Sequence, residues 1–214
     1  MAHLKFNTLQ RFLRWLPAAV LAVTLCAAVA AAQSKDIRDL GLGKFLVASR
    51  DLGEPAFAES VIVLVQYDRT GTVGLAINRI TKIPISEALS ELASAKNHED
   101  PVFVGGPVEA EAVRALVRSR LAPDLAQHIF GDLYMVWQRR ALERELMAKR
   151  SPAVFRVYLG YCGWARGQLE SEVRAGGWHI FDAATVGKQN VFDADPDGMW
   201  EKLIAKTERQ LARR

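Results

Sequence analysis

The sequence predicts an α+β fold built on a mostly antiparallel or mixed sheet. Half of its 214 residues are apolar, enough for one substantial core. Short β-branched runs come in clusters, and helical segments fall between those clusters rather than alternating strictly with strands. A single domain over residues 43–214 is therefore expected.

Residues 44–49 and 60–66 are short apolar runs and read as strands, and residues 72–78 make a third. Tyr67-Asp68-Arg69-Thr70-Gly71 joins the last two by a polar, Gly-containing connection typical of a hairpin. Residues 84–95 carry Ile85, Leu89 and Leu92 at helical spacing, with Pro84 suited to a first turn, and predict a surface helix. Residues 101–104 form a strand that stops at Gly105-Gly106-Pro107. Residues 109–119 are helical by composition. Residues 133–137 read as a strand, and 140–150 as a helix closing before Ser151-Pro152. A buried strand over 155–161 leads to a helix over 164–175 that Gly176-Gly177 ends. Residues 178–182 are a last core strand, and 196–214 a C-terminal helix with Met199, Trp200, Leu203 and Ile204 inward.

Ahead of the domain, Lys5, Arg11 and Arg14 precede an apolar run over 15–32 that ends in Ala30-Ala31-Ala32. This is the order of a secretory signal peptide, followed by a polar linker over 33–42. An uncleaved membrane anchor is the alternative, since the run approaches the roughly 20 residues that span a bilayer. A misplaced start would make the protein cytoplasmic. The leader holds three of the chain's Lys/Arg and no acid, so most of the formal charge of +4 leaves with it. The basic balance is thus poor evidence for a nucleic-acid surface. Cys26 also leaves, and Cys162 then has no intramolecular disulfide partner.

The most distinctive stretch is residues 160–178, Gly-Tyr-Cys-Gly-Trp-Ala-Arg-Gly-Gln-Leu-Glu-Ser-Glu-Val-Arg-Ala-Gly-Gly-Trp, where glycines alternate with large aromatics before an amphipathic run. With Gly105-Gly106-Pro107-Val108 and Gly74-Leu75-Ala76-Ile77-Asn78-Arg79, it resembles the YqgE/AlgH family and its G-Y-x-G-W-x-x-G-Q-L-E, G-G-P-V and G-L-x-x-N-R/K motifs. The resemblance covers nearly all of residues 43–205. It implies a bent sheet curled towards a partly closed barrel with helices packed outside, and a strand near 115–118 in place of the helix that composition favours. Relatives commonly hold a small residue where Cys162 stands. The family has no established chemistry, and some members have been labelled transcriptional regulators.

The sharpest catalytic constellation is Cys162 with His179 as base and Asp182 as orienter. The elbow pattern G-x-C-x-G is missed by one position, and a small buried Cys is the plainer reading. His98, His128 and His179 show no metal-ligand spacing, so no metal and no cofactor is expected. The glycines match no phosphate-binding loop and read as turns and close packing. Basic residues over 139–150 are interleaved with Glu143 and Glu145, which suits a salt-bridged helix better than a phosphate-tracking stripe.

Without a catalytic signature, the ligand-binding candidates are Asn78, Arg79, Gly105, Gly106, Tyr161, Gly163, Trp164 and Gln168, where the three motifs are expected to converge. The sequence favours an exported, non-catalytic binding or regulatory module for a protein or small-molecule ligand. No nucleic acid is expected, and membrane contact only through an uncleaved leader. An enzyme with an unrecognised polar cleft and a cytoplasmic transcription-linked regulator are the alternatives.

Overall fold

The computed structural model describes residues 37–186, 191–192 and 195–211; the leader, Cys26 and the last three residues lie outside them. Ten strands form one mixed sheet: β1 Phe45–Ala48, β2 Val61–Asp68, β3 Gly71–Ala76, β4 Ile80–Pro84, β5 Pro101–Val104, β6 Val108–Arg118, β7 Gln127–Phe130, β8 Leu133–Val136, β9 Phe155–Trp164 and β10 Trp178–Phe181. The helices are α1 Ile85–Ala88, α2 Arg139–Met147, α3 Gln168–Arg174, α4 Ala183–Val186 and α5 Met199–Leu211.

The strand order is β10-β1-β2-β3-β9-β6-β8-β7, with β5 pairing β9 and β4 pairing β5 off this path. Every pairing is antiparallel except β5 with β9. The path does not close into a ring of hydrogen bonds. It curls far enough that its far end returns to its start through side chains. Gln127 Nε2 donates to the Val65 carbonyl at 2.8 Å, and Phe130 meets Phe45 edge-on with centroids 5.8 Å apart.

Alternation along the strands divides the core in two, because successive side chains point to opposite faces. Leu116, Met135 and Tyr158 join the larger core with β1, β2 and β3. Ala115, Val117, Val136 and Val157 face a smaller one closed by Leu142 and Leu146 of α2. Strands β1 and β2 are buried on both faces, and α5 covers β1 with Met199, Trp200, Leu203 and Ile204 inward. Trp200 Nε1 donates to the Ala48 carbonyl at 2.8 Å, satisfying the one polar atom of a buried indole.

Two expectations are corrected. The helix expected over 84–95 is cut to α1, followed by a turn and a 3-10 turn over Ala93–Ala95. The Ile85 and Ser86 amides bond the Asp100 and His98 carbonyls, so the chain must reverse within this span. A straight 12-residue helix would carry it about 18 Å away. The helix expected from 164 begins instead at Gln168, because Trp164 pairs with Thr72 as the last residue of β9. The strand that the family resemblance implies near 115–118 is present and longer: β6 runs from Val108 to Arg118 against the helical composition, held by β8 and β9 on its two edges. Strands β4 and β7 were not foreseen from the sequence. β4 is mostly exposed and β7 is only four residues long, so neither shows a clear buried alternation.

Candidate functional site

Strand β9 explains why the motifs are glycine-rich. Tyr158 and Leu159 pair with Phe103 and Val104 of β5 and also with Arg114 and Val113 of β6, so β5 and β6 lie on opposite edges of β9. The connection between them, Gly105-Gly106-Pro107, must cross over β9, and Val108 then pairs with Tyr161 on the far edge. Backbone passes over backbone at that crossing. A Cβ on Gly105 would overlap the Gly160 carbonyl, one on Gly106 the Tyr161 carbonyl, and one on Gly160 the Gly106 carbonyl. Gly160 also sits at φ +68, where L side chains are strained. These glycines are the contact surface of two crossing chains.

Cys162 lies directly beneath the crossing. Its thiol is fully buried and donates to the Gly105 carbonyl at 3.3 Å, and burial pushes its pKa up to about 12. Such a thiol is protonated and inaccessible at neutral pH, the reverse of an activated nucleophile. The sheet also separates it from its supposed base. His179 pairs with Val47 in β10–β1, and β1, β2 and β3 intervene before β9, about 19 Å along the sheet at ordinary strand spacing. Asp182 forms an ion pair with Lys44. The Cys-His-Asp arrangement is not assembled.

Asn78 and Arg79 follow β3 and clamp the chain entering β2. Asn78 accepts from the Val61 amide at 2.9 Å and donates to the Glu59 carbonyl at 2.8 Å. One Arg79 nitrogen donates to the Ala58 carbonyl at 3.2 Å and to Ser60 Oγ at 2.8 Å. Between these anchors Glu59 is held at φ +56, a left-handed conformation that costs a non-glycine residue roughly 1–2 kcal/mol. Beside them is a hollow of about 260 Å³ lined by residues 58–59, 78–79, 196–197 and 200–201.

Trp164 and Trp178 bracket α3 and converge on one acid. Both indole N–H groups donate to the same Glu172 oxygen, at 2.9 and 2.8 Å, and the rings meet edge-on at 6.0 Å. Gln168 donates to the other Glu172 oxygen at 3.0 Å and accepts from the Ala165 amide at 3.1 Å, so it ties the turn that leads into its helix to the helix itself. Glu170 on the same helix accepts from Tyr67 at 2.8 Å. The motif's Gln and Glu thus dock α3 onto the sheet.

The eight candidate residues are close in backbone and divided in side chain. Gly105 and Gly106 are spent on the crossing and Gln168 on the Ala165 amide and Glu172. Asn78 and Arg79 border the hollow just described. Tyr161, Gly163 and Trp164 border a second, more open groove of about 320 Å³, together with Gln66, Thr70 to Val73 and Val108. There the Arg114 guanidinium lies 4.0 Å over the Tyr161 ring, and its Nη1 is buried without a hydrogen bond. Sequence reasoning missed Arg114 as a partner of Tyr161, because a bulge shifts the β6–β9 register between Val108 and Val113. It also missed Glu59, whose strained backbone leaves no mark in composition. The histidines are dispersed: His98 bonds the Leu146 carbonyl at 2.9 Å and His128 the Gly131 carbonyl at 3.0 Å.

Comparison with known proteins agrees with this architecture. The solution structure of the AlgH protein from Pseudomonas aeruginosa matches with a TM-score of 0.61 and 29% identity, covering 78% of this chain and 87% of that one. A crystal structure from Corynebacterium diphtheriae matches with a TM-score of 0.63 at 20% identity, a likeness of fold. Among curated relatives, a UPF0301 protein of Chlorobium luteolum is 30% identical over 79% of this chain and 87% of its own length. One from Ruegeria pomeroyi is 32% identical over 76% and 89%. The profile of the DUF179 family, described as AlgH-like, matches residues 45–212. With its crossing glycines, Asn-Arg clamp and docked helix in place, the chain belongs to the AlgH-like DUF179 family.

Proposed function

We propose that the chain is an exported, non-catalytic binding or regulatory module, with residues 1–32 as a signal peptide, 33–42 as a linker and 43–214 as the binding domain. The observation that carries the reading is the groove at Tyr161 and Trp164. It offers the half-buried Tyr161 ring with the Arg114 guanidinium stacked on it, and strand backbone, and none of its lining residues is a thiol or a histidine. Binding sites need concave apolar surface with a few orienting polar groups. Catalytic sites add a tuned acid, base or nucleophile. The thiol in this part of the fold is buried and protonated.

Capture from the native envelope fraction with the wild-type chain and with Tyr161→Ala tests the groove. A molecule retained by the wild type and lost from an equally stable variant supports it, and identical retention by both sinks it. Export is checked by N-terminal sequencing, which should begin at or near Gln33. An intact Met1 excludes cleavage, and recovery wholly in the cytosol excludes export.

A further inference from the structure

Helix α2 buries Ala141, Leu142, Glu145 and Leu146 against the smaller core, so at about 100° per residue its outward stripe runs through Arg140, Arg144 and Met147. Arg144 forms an ion pair with Asp124, which lays the connection between β6 and β7 along that stripe. Apolar side chains stand outward there: Leu121 is 82% exposed and Leu125 47%, as is Met147 of the helix at 64%. Leu125 is held at φ +59, so the chain accepts a left-handed backbone where it presents this side chain. Over residues 120–125 and 139–150 every acid is consumed, Asp124 by Arg144, Glu143 by Arg139 at 2.9 Å and Glu145 by Arg150. Arg120, Arg140 and Lys149 are exposed and, among the described residues, pair with no carboxylate. These two segments carry +3, whereas residues 33–214 as a whole sum to +1. The rest of the domain is therefore net negative, and positive charge gathers where the exposed aliphatic side chains stand.

We propose that this face, Arg120, Leu121 and Leu125 with Arg140, Met147 and Lys149, rests on the surface of an anionic lipid bilayer. The aliphatic side chains enter below the headgroups, while the longer cationic ones reach back to the lipid phosphates. With nine residues α2 is too short to span a bilayer and lies along it. A fluid surface asks only for depth and charge of one sign, whereas a protein partner asks for a shaped patch around a buried anchor. The sequence alone allowed membrane contact only through the leader; this contact belongs to the folded domain and is the same for either leaflet.

A nitroxide attached at residue 121 (Leu121→Cys) in the full-length chain tests the contact, with Cys26→Ser so that the buried Cys162 is the only other thiol. On vesicles of phosphatidylglycerol and phosphatidylcholine, the label should lose severalfold in accessibility to a water-soluble nickel complex and gain accessibility to oxygen, which concentrates among acyl chains. Pure phosphatidylcholine vesicles, or about 0.5 M salt, should return it to water. Arg140→Ser with Lys149→Ser should do the same and leave the melting temperature unchanged, since both side chains are exposed. A label at Glu201→Cys, exposed on the helix that covers the other core, should stay aqueous throughout, which separates this contact from any hold of the leader on the vesicle. Full nickel accessibility at residue 121 on the anionic vesicles overturns the proposal, and equal shielding of both labels does so too, because it means adsorption without orientation. Equal shielding on pure phosphatidylcholine overturns the part assigned to the cations. A label that stays aqueous on vesicles yet is immobilised by solubilised envelope protein assigns the face to a protein and overturns the lipid. None of these results bears on the Tyr161 groove, which Tyr161→Ala tests by itself.

Discussion

The β5–β6 crossing and the α3 docking cluster lie at the two ends of one motif and are stabilised by opposite means. At Gly105, Gly106 and Gly160 the chain gains stability by having no side chain, so that two backbones can touch. At Trp164, Glu172 and Trp178 it gains stability by having large side chains whose only polar atoms find a single shared acceptor. The first arrangement tolerates no added atom. The second tolerates shape changes in proportion to the area and hydrogen bonds lost.

The severest way to break the crossing is Gly106→Ala or Gly160→Ala. The new methyl would meet backbone carbonyls rather than movable side chains. A loss of about 5 kcal/mol, or failure to fold, is expected from urea unfolding. A loss under about 1 kcal/mol would show that the crossing yields easily.

At the other end, Trp178→Ala should cost about 3–5 kcal/mol, since the ring is 3% exposed and packs against Trp164 and Phe57. Glu172→Leu should cost about 2–3 kcal/mol, because two half-enclosed indole donors lose their acceptor. If Glu172→Leu is neutral while Trp178→Ala is severe, the cluster is held by packing alone.

Titration of Cys162 sharpens the contrast from beneath the crossing. Folding raises the thiol from 9.0 to about 12, so the unfolded chain loses this proton first and stability falls as pH climbs from about 9 towards about 12. Below about pH 9 the group makes no pH-dependent contribution. Wild type should therefore lose about 3 kcal/mol relative to Cys162→Ala by pH 11, read from paired urea melts. Parallel alkaline curves would mean that the thiol reaches solvent.

The smallest expected effect is Gln168→Ala, about 0.5–1 kcal/mol. An exposed helical Gln is ordinarily near neutral, but this one bonds both the Ala165 amide and Glu172. A fully neutral result would assign these two bonds no weight and leave Gln168 available to a ligand.

The three motifs were legible because each reports a local demand: glycine where a side chain cannot fit, Asn-Arg after a strand, Gln and Glu on the first turn of a helix. What they serve was not. Gly105 and Gly160 are 55 positions apart, and nothing in either neighbourhood reveals that one chain passes over the other. The candidate site was legible as a set of residues and illegible as a surface, for the same reason. Asn78 and Arg79 were grouped with Tyr161 and Trp164 by motif, whereas their side chains leave the shared backbone towards different hollows.

By itself the sequence determined the α+β class, the order of most strands and helices, the burial of Cys162 and the reading of the motif glycines as turns and close packing. Those follow from periodicity and from the sterics of single residues, which act within a few positions of the chain. Tertiary structure decided that residues 109–119 are strand rather than helix, that the helix after 84 is cut short, and that β9 is clasped on both edges. It also decided that Arg79 is spent on the Ala58 carbonyl and on Ser60. Each of these depends on hydrogen bonds or charges brought together across dozens of residues, and local propensity, worth at most a few tenths of a kcal/mol per residue, is overruled by a ladder of such contacts.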